Sequence, residues 1–378
     1  MSAKPKICFI TASELTVRCF LLGHLAALSK IYEVTLIVNT DNPDFLRDTN
    51  LAIRVLPVGI ERKISLWRDG LALIKLIRVF SCEHFAAVHS VTPKAGFLAM
   101  VAATICRVPL RIHTFTGQVW VTHNGLARLL LKSLDTITAR LTTHLLTDGE
   151  AQRQFLIDEH VTLKERVRVL GKGSFSGVDV VRFSPNQYNR KAVREIFGIV
   201  ETDLVFVYIG RLNFDKGLLD LATAFAKVAQ PNWHCLIVGP DEVNLIPIIK
   251  LQCQAVATQI HFAGSSHAPE VEMAAADVLC LPSYREGFST VLIEAAAMGV
   301  PALASRIYGI TDTVVEGETG LLHEPKVINE IAEKMQLLAS NMELRNRLGE
   351  CAMLRAKEDF SQTYVTGELV KFYESVLY

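Results

Sequence analysis

No stretch of this sequence stays apolar for the roughly 18 residues that a membrane-spanning helix needs, so no spanning segment is expected. Cys-x-x-Cys is missing too. The eight cysteines are scattered, several of them inside apolar runs (Cys8, Cys106, Cys235, Cys280). They read as buried thiols in a reducing compartment, not as disulfides or a metal site. There is no Asp-x-Asp, and no Gly-x-Gly-x-x-Gly follows a strand-like run, which argues against a nicotinamide-dependent oxidoreductase. Net charge is absent as well: 39 Lys+Arg balance 39 Asp+Glu, so no global signal for nucleic acid exists. The N-terminus, Met-Ser-Ala-Lys-Pro-Lys followed by Ile-Cys-Phe-Ile-Thr, is too short in apolar length for a signal peptide and reads as a first strand.

What is present is length and apolar content. The chain has 378 residues, half of them hydrophobic, enough for two domains. Charge is unevenly divided. Residues 1–185 hold 23 Lys+Arg against 15 Asp+Glu and the remainder 16 against 24, so the halves carry about +8 and −8. Either the first half faces an anionic surface or the difference is compositional scatter. Strand-like runs alternate with helix-like ones from Lys6–Thr11 onward, the pattern of a parallel α/β sheet. Residues 171–185, Gly-rich and then ended by Pro185, mark a boundary.

Chemistry concentrates in residues 278–299. A short apolar run, Val278–Leu281, suits a buried parallel strand. A loop follows with Arg285 and Glu286, then a helix pattern from Ser289 to Met298 closed by Gly299. Amides of Gly287, Phe288 and Ser289 would be free at the helix N-terminus, where the dipole favours an anion. Glu294, inside an otherwise apolar helix, is costly unless it is paired or hydrogen-bonded. Upstream, the run 204–210 leads into Gly210-Arg-Leu-Asn-Phe-Asp-Lys-Gly217 before another helix. Arg211 and Lys216 beside free amides suit a diphosphate. The alternatives are a helix-dipole acidic pair and solvated loop charges.

Glu286 and Glu294, with Glu-Gly-Phe between, resemble the Glu-x7-Glu signature of retaining, nucleotide-sugar-dependent glycosyltransferases of family 4. Gly-Arg-Leu…Lys-Gly resembles a second motif of that family, shortened here and with Asp215 in the usual glutamate place. The segment 171–185 resembles the family's Asn-Gly-Val-Asp-x-x-x-Phe-x-Pro, with Ser176 for Asn. The resemblance implies a GT-B fold, two doubly wound Rossmann-like α/β domains facing across a cleft. It divides the chain into 1–183 for the acceptor, 184–360 for the nucleotide-sugar, and a C-terminal helix, 361–378, crossing back. In it Arg211, Lys216 and the amides of Gly287, Phe288 and Ser289 hold the diphosphate, Glu286 orients the donor sugar, and Glu294 grips the ribose. Main-chain contacts near Gly264 hold the base. No metal cofactor is required, since the cations supply the charge.

The first half carries weaker signals. Ser13 and Thr16 stand where the family's first loop is usually glycine-rich, and line a donor or acceptor pocket. The element 109–120 resembles the family's strand before the acceptor site in O-antigen and capsule transferases, where a histidine usually precedes glycine. Here Thr116 precedes Gly117 and is the positional match, while His113 is the chemical one. A strand histidine is more often a packing residue. Residues 62–80 form a basic amphipathic stretch with Arg68, Lys75 and Arg78 beside Trp67, Leu71 and Ile74, and 128–140 is similar. Each suits an anionic membrane interface or a core-facing helix with a solvated edge.

The implied activity is transfer of a sugar, an N-acetylhexosamine or related hexose, from a UDP-sugar to a polyprenyl-diphosphate-linked saccharide in O-antigen, lipopolysaccharide or capsule assembly. The implied place is cytoplasmic, peripheral at the inner face of the bacterial inner membrane. A UDP-sugar epimerase of the same fold, working without lipid acceptor, is the alternative, and a catalytically silent membrane-associated binding protein a third reading.

Overall fold

A computed structural model describes residues 4–49, 51–61 and 65–377. The chain forms two compact units, residues 1–177 with 362–378, and residues 178–361.

Unit 1 is a seven-stranded parallel sheet: β1 (Lys6–Thr11), β2 (Glu33–Val38), β3 (Arg54–Pro57), β4 (Ala87–Val91), β5 (Leu110–Phe115), β6 (His144–Thr147) and β7 (Val167–Val169). Their order is β3-β2-β1-β4-β5-β6-β7. Side chains alternate across the sheet, so β1 feeds two cores. Ile7 and Phe9 join Leu36, Tyr32 and Tyr373 on one face, while Cys8 and Ile10 join Leu76, Phe80 and Ala99 on the other. Burial on both faces explains why β1 is a near-continuous apolar run. The helix Gln362–Leu377 belongs to this unit and buries Leu369, Phe372 and Tyr373 in its first core.

Unit 2 is a six-stranded parallel sheet: β8 (Leu204–Ile209), β9 (Trp233–Val238), β10 (Ile260–Gly264), β11 (Val278–Leu281), β12 (Ala302–Ser305) and β13 (Gly320–His323). The order is β10-β9-β8-β11-β12-β13. The direction of winding therefore reverses between β8 and β11, as it does between β1 and β4 in unit 1. At such a point loops leaving neighbouring strands turn to opposite faces and open a crevice at the carboxyl ends, where doubly wound sheets take ligands.

Candidate active site

The loops leaving β8 and β11 meet at the switch point of unit 2. Gly217 makes the approach possible. It closes the short turn Phe214–Lys216 with φ 65°, and a Cβ there would lie 2.0 Å from the Pro282 carbonyl oxygen. The Tyr284 amide donates to the Asp215 carbonyl at 2.9 Å. Gly309 serves the other side: its carbonyl accepts the Ser289 amide at 3.2 Å, and a Cβ on it would meet the Glu286 backbone at 2.4 Å.

Charges cluster on this frame. Lys216 Nζ lies 2.6 Å from Glu286 Oε1, both largely enclosed. Arg285 donates to Asp215 at 3.0 Å. Arg211 donates to both oxygens of Glu242, at 3.0 and 2.7 Å, and Asn213 holds the same carboxylate at 3.0 Å. Beneath them Tyr208 donates to the Arg211 carbonyl at 2.8 Å, and burial together with Glu286 and Asp215 pushes its phenol far above the ordinary range. Every cation of the cluster thus has a carboxylate partner within the protein. An anionic ligand would therefore have to enter by partner exchange, since this field is already satisfied.

Glu294 sits in the helix Thr290–Ala297 with a partly buried carboxylate that has no hydrogen-bond partner among the described residues. Burial pushes its carboxyl up to about 7, against the pull of Arg182 and with the help of Glu270. Arg182 is itself bound to Glu270 at 2.7 Å. A half-desolvated carboxyl without a partner is poised to accept hydroxyl donors.

Of the three amides expected to be free before this helix, Ser289 is not. Its N–H is spent on the Gly309 carbonyl and its side chain is buried. The reason is the close Gly309 approach, which fixes the loop from the opposite side. Among the described residues no backbone acceptor takes the Gly287 or Phe288 amide, and the Phe288 ring packs on Phe360 at 5.5 Å between centroids. Gly264 ends β10 with φ 74°, and its carbonyl accepts the Gly239 amide at 2.7 Å.

In unit 1, Ser13 caps the helical turn Glu14–Thr16. Its hydroxyl accepts the Thr16 amide and lies 2.9 Å from the Thr16 hydroxyl, so the two side chains satisfy each other. Thr116 and Gly117 follow the end of β5, Thr116 half-buried and Gly117 at φ 122°. His113 is fully enclosed. Its Nδ1 meets Ser90 Oγ at 2.8 Å, its ring stands edge-on to Phe115, and Gly96 leaves it room: a Cβ there would lie 2.3 Å from Cε1. Burial holds this imidazole neutral, down to about 3. Its placement is that of a packing residue.

Glu242 belongs to this cluster although no sequence motif singled it out, and the pairing of Arg285 with Asp215 was not read from the motifs that contain them. One signal existed: Asp215-Lys216 and Arg285-Glu286 are dipeptides of opposite charge order flanking the two loops.

The basic stretch 62–80 forms the helix Leu66–Glu83, with residues 62–64 outside the described ones. It buries Ala72, Leu76 and Phe80 and exposes Trp67, Leu71 and Ile74 beside Arg68, Lys75 and Arg78. Among the described residues no helix is long and apolar enough to cross a membrane.

Two doubly wound parallel units, the second gathering cations, carboxylates and helix-end amides at its switch point, define the GT-B class of fold. The family described as glycosyl transferases group 1 matches residues 189–355, and the glycosyl transferase 4-like domain matches residues 21–173. The chain belongs to the glycosyltransferases that these two domains make up. It is 28% identical over 366 residues to the Staphylococcus aureus capsular polysaccharide biosynthesis glycosyltransferase CapM, a match covering 94% of this chain and 93% of the relative. It is 28% identical over 303 residues to the Escherichia coli UDP-Gal:alpha-D-GlcNAc-diphosphoundecaprenol alpha-1,3-galactosyltransferase, covering 78% and 76%. Among solved structures, Anabaena HepE in complex with UDP and glucose matches with a TM-score of 0.81 at 17% identity, over 98% of this chain and 100% of that one.

Proposed function

We propose that the protein transfers a hexose or N-acetylhexosamine from a UDP-sugar to a polyprenyl-diphosphate-linked saccharide in bacterial surface-polysaccharide assembly, with retention at the anomeric carbon. The observation that carries the donor half is the Lys216–Glu286 pair at the switch point, 2.6 Å apart and flanked by Arg211 and the Gly287 and Phe288 amides. Breaking an anomeric bond leaves negative charge on the diphosphate and positive charge on the sugar. Here the cation and the carboxylate that each charge requires lie side by side, where enclosure strengthens both interactions. On donor binding Lys216 turns to the diphosphate, with Arg211 and the amides, and Glu286 is released to the sugar hydroxyls. Glu294 accepts from the ribose hydroxyls. The cations stand where a metal ion would otherwise be needed, so the reaction proceeds without one.

The acceptor half is supported by the names of the relatives: one makes capsular polysaccharide and one acts on a diphosphoundecaprenol-linked sugar. In unit 1, Thr116, Gly117, Ser13 and Thr16 lie at the carboxyl edge of the sheet, where such an acceptor would enter. The exposed apolar and basic faces of Leu66–Glu83 and Gly125–Leu141 suit contact with an anionic membrane at the cytoplasmic side.

The test is UDP release from a panel of UDP-sugars, with and without lipid-linked acceptor, in EDTA, for wild type and Glu286→Gln. Lipid-dependent release from one donor, lost by at least about 100-fold in the variant, is the expected result for a carboxylate that also meets the positive charge developing on the sugar in the transition state. Isomerisation or release without lipid would turn the assignment to an epimerase or hydrolase. Loss of activity in EDTA would overturn metal independence.

A further inference from the structure

Two ion pairs, not one, join the loops at the switch point of unit 2, and they run in opposite senses. Asp215-Lys216 lies on one loop and Arg285-Glu286 on the other. Lys216 meets Glu286 at 2.6 Å, and Arg285 meets Asp215 at 3.0 Å. The hydrogen bond from the Tyr284 amide to the Asp215 carbonyl lies beside them.

The second pair is a poor device for stability. Its side chains are only 23% and 20% exposed. A guanidinium and a carboxylate commonly make two parallel bonds. This pair makes one, leaving Arg285 Nε and Asp215 Oδ1 buried without partners among the described residues. Two desolvated charges so sparsely bonded gain little net energy. Their effect is on geometry. Asp215 and Arg285 are the immediate neighbours of Lys216 and Glu286, so whatever fixes their separation fixes the separation of the other two.

We infer that Asp215–Arg285 is a positioning pair for sugar transfer. This rests on the reading of unit 2 as a UDP-sugar site. When a donor arrives, the Lys216–Glu286 contact exchanges: the ammonium turns to the diphosphate and the carboxylate to the sugar. The loops then lose one of their two ionic links at the moment when their spacing matters most. Asp215–Arg285 stays closed and keeps Lys216 and Glu286 at the distance the donor spans. The short aspartate side chain holds the loops close. Arg285 needs no contact with the donor to do this.

The test is a double-mutant cycle on UDP affinity by calorimetry, with Arg285→Met and Lys216→Met alone and together, joined by donor turnover and thermal unfolding. Arg285→Met is expected to weaken UDP about tenfold alone and by less than about twofold in the Lys216→Met background, because it acts through Lys216. Arg285→Lys recovers most of the affinity and turnover, and Tm stays within a few degrees of wild type. Equal weakening in both backgrounds would make Arg285 a direct contact and overturn the inference. So would unchanged affinity and turnover in Arg285→Met. If that variant does not fold, Asp215→Asn removes the same pair and is judged by the same thresholds. Failure of the wild type to bind UDP would sink the donor reading and this inference together, a result distinct from a UDP-binding wild type whose Arg285→Met variant is unchanged.

Discussion

Glu294 shows how one buried carboxyl links protonation to stability. Burial raises its affinity for a proton until it titrates at about 7. Between roughly pH 4.5 and 7 the unfolded chain has lost this proton while the native chain keeps it. Stability therefore falls as pH rises through that window, with a limiting slope of about 1.4 kcal/mol per pH unit. Glu294→Gln abolishes this contribution. Urea unfolding at several pH values should give a flatter profile for the variant, and UDP should bind it more weakly. Identical profiles would mean that Glu294 does not titrate in this range. Single residues were legible in the sequence where they formed a spaced motif: Glu286, Glu294, Arg211 and Lys216 all lie at the switch point or on the helix that follows it. Glu242 was not, since its partner Arg211 lies 31 residues away and only the folding of two loops joins them. Nor could the sequence tell that the Ser289 amide is taken by Gly309, a contact set by backbone approach without side-chain signature.

Whole elements were read most accurately where they are buried on both faces. Lys6–Thr11 and Val278–Leu281 have the ends that their apolar runs suggested, because such strands cannot alternate in polarity. The edge strand β3 escaped notice, being half exposed and lacking a continuous apolar run. So did the π-helical stretch Val17–Leu21, whose widened turn leaves no pattern in residue type. Loop contact makes its own prediction. In Gly217→Ala the new methyl would strike the Pro282 carbonyl at a backbone angle that alanine resists. One loop must shift, at a cost of about 1–3 kcal/mol. Thermal unfolding should show that loss, and UDP affinity should drop with it, while a variant of wild-type affinity would show that the approach is dispensable. In unit 1 the helix Gln362–Leu377 is held through histidines: His24 meets Thr366 at 3.0 Å and His89 meets Tyr373 at 3.0 Å. Burial lowers both imidazoles below their ordinary range. Below about pH 6.5 the unfolded chain takes up protons that the native chain refuses, so this docking weakens as pH falls. Hydrogen exchange of residues 362–377, corrected for intrinsic rate, should be faster at pH 5 than at pH 7.5. Equal protection would exclude the histidines as its support.

At the scale of the molecule the question is where it works. The helices Leu66–Glu83 and Gly125–Leu141 follow β3 and β5, so both begin at the carboxyl edge of the first sheet. There Trp67 is 77% and Leu126 84% exposed. Trp120 and Trp233 are buried, which leaves Trp67 as the reporter. On mixing with vesicles containing anionic lipid, tryptophan emission should shift to the blue and the protein should sediment with the vesicles. Added salt should reduce the binding by screening the basic side chains, and Leu126→Glu with Leu130→Glu should reduce it further. No sedimentation at low salt would exclude this surface.

The chain leaves unit 1 after residue 177 and supplies its last helix only from residue 362. Synthesis runs in that order too. Residues 178–361 are contiguous and can complete their sheet while the helix that begins at residue 362 is still to be made. The earlier unit must wait, with Phe9, Tyr32 and His89 lacking the Tyr373 ring that covers them. A nascent chain arrested just short of residue 362 would thus carry a finished later unit and an unsealed earlier one. The waiting face is the one that chaperones would meet, and it closes only when residues 362–377 arrive.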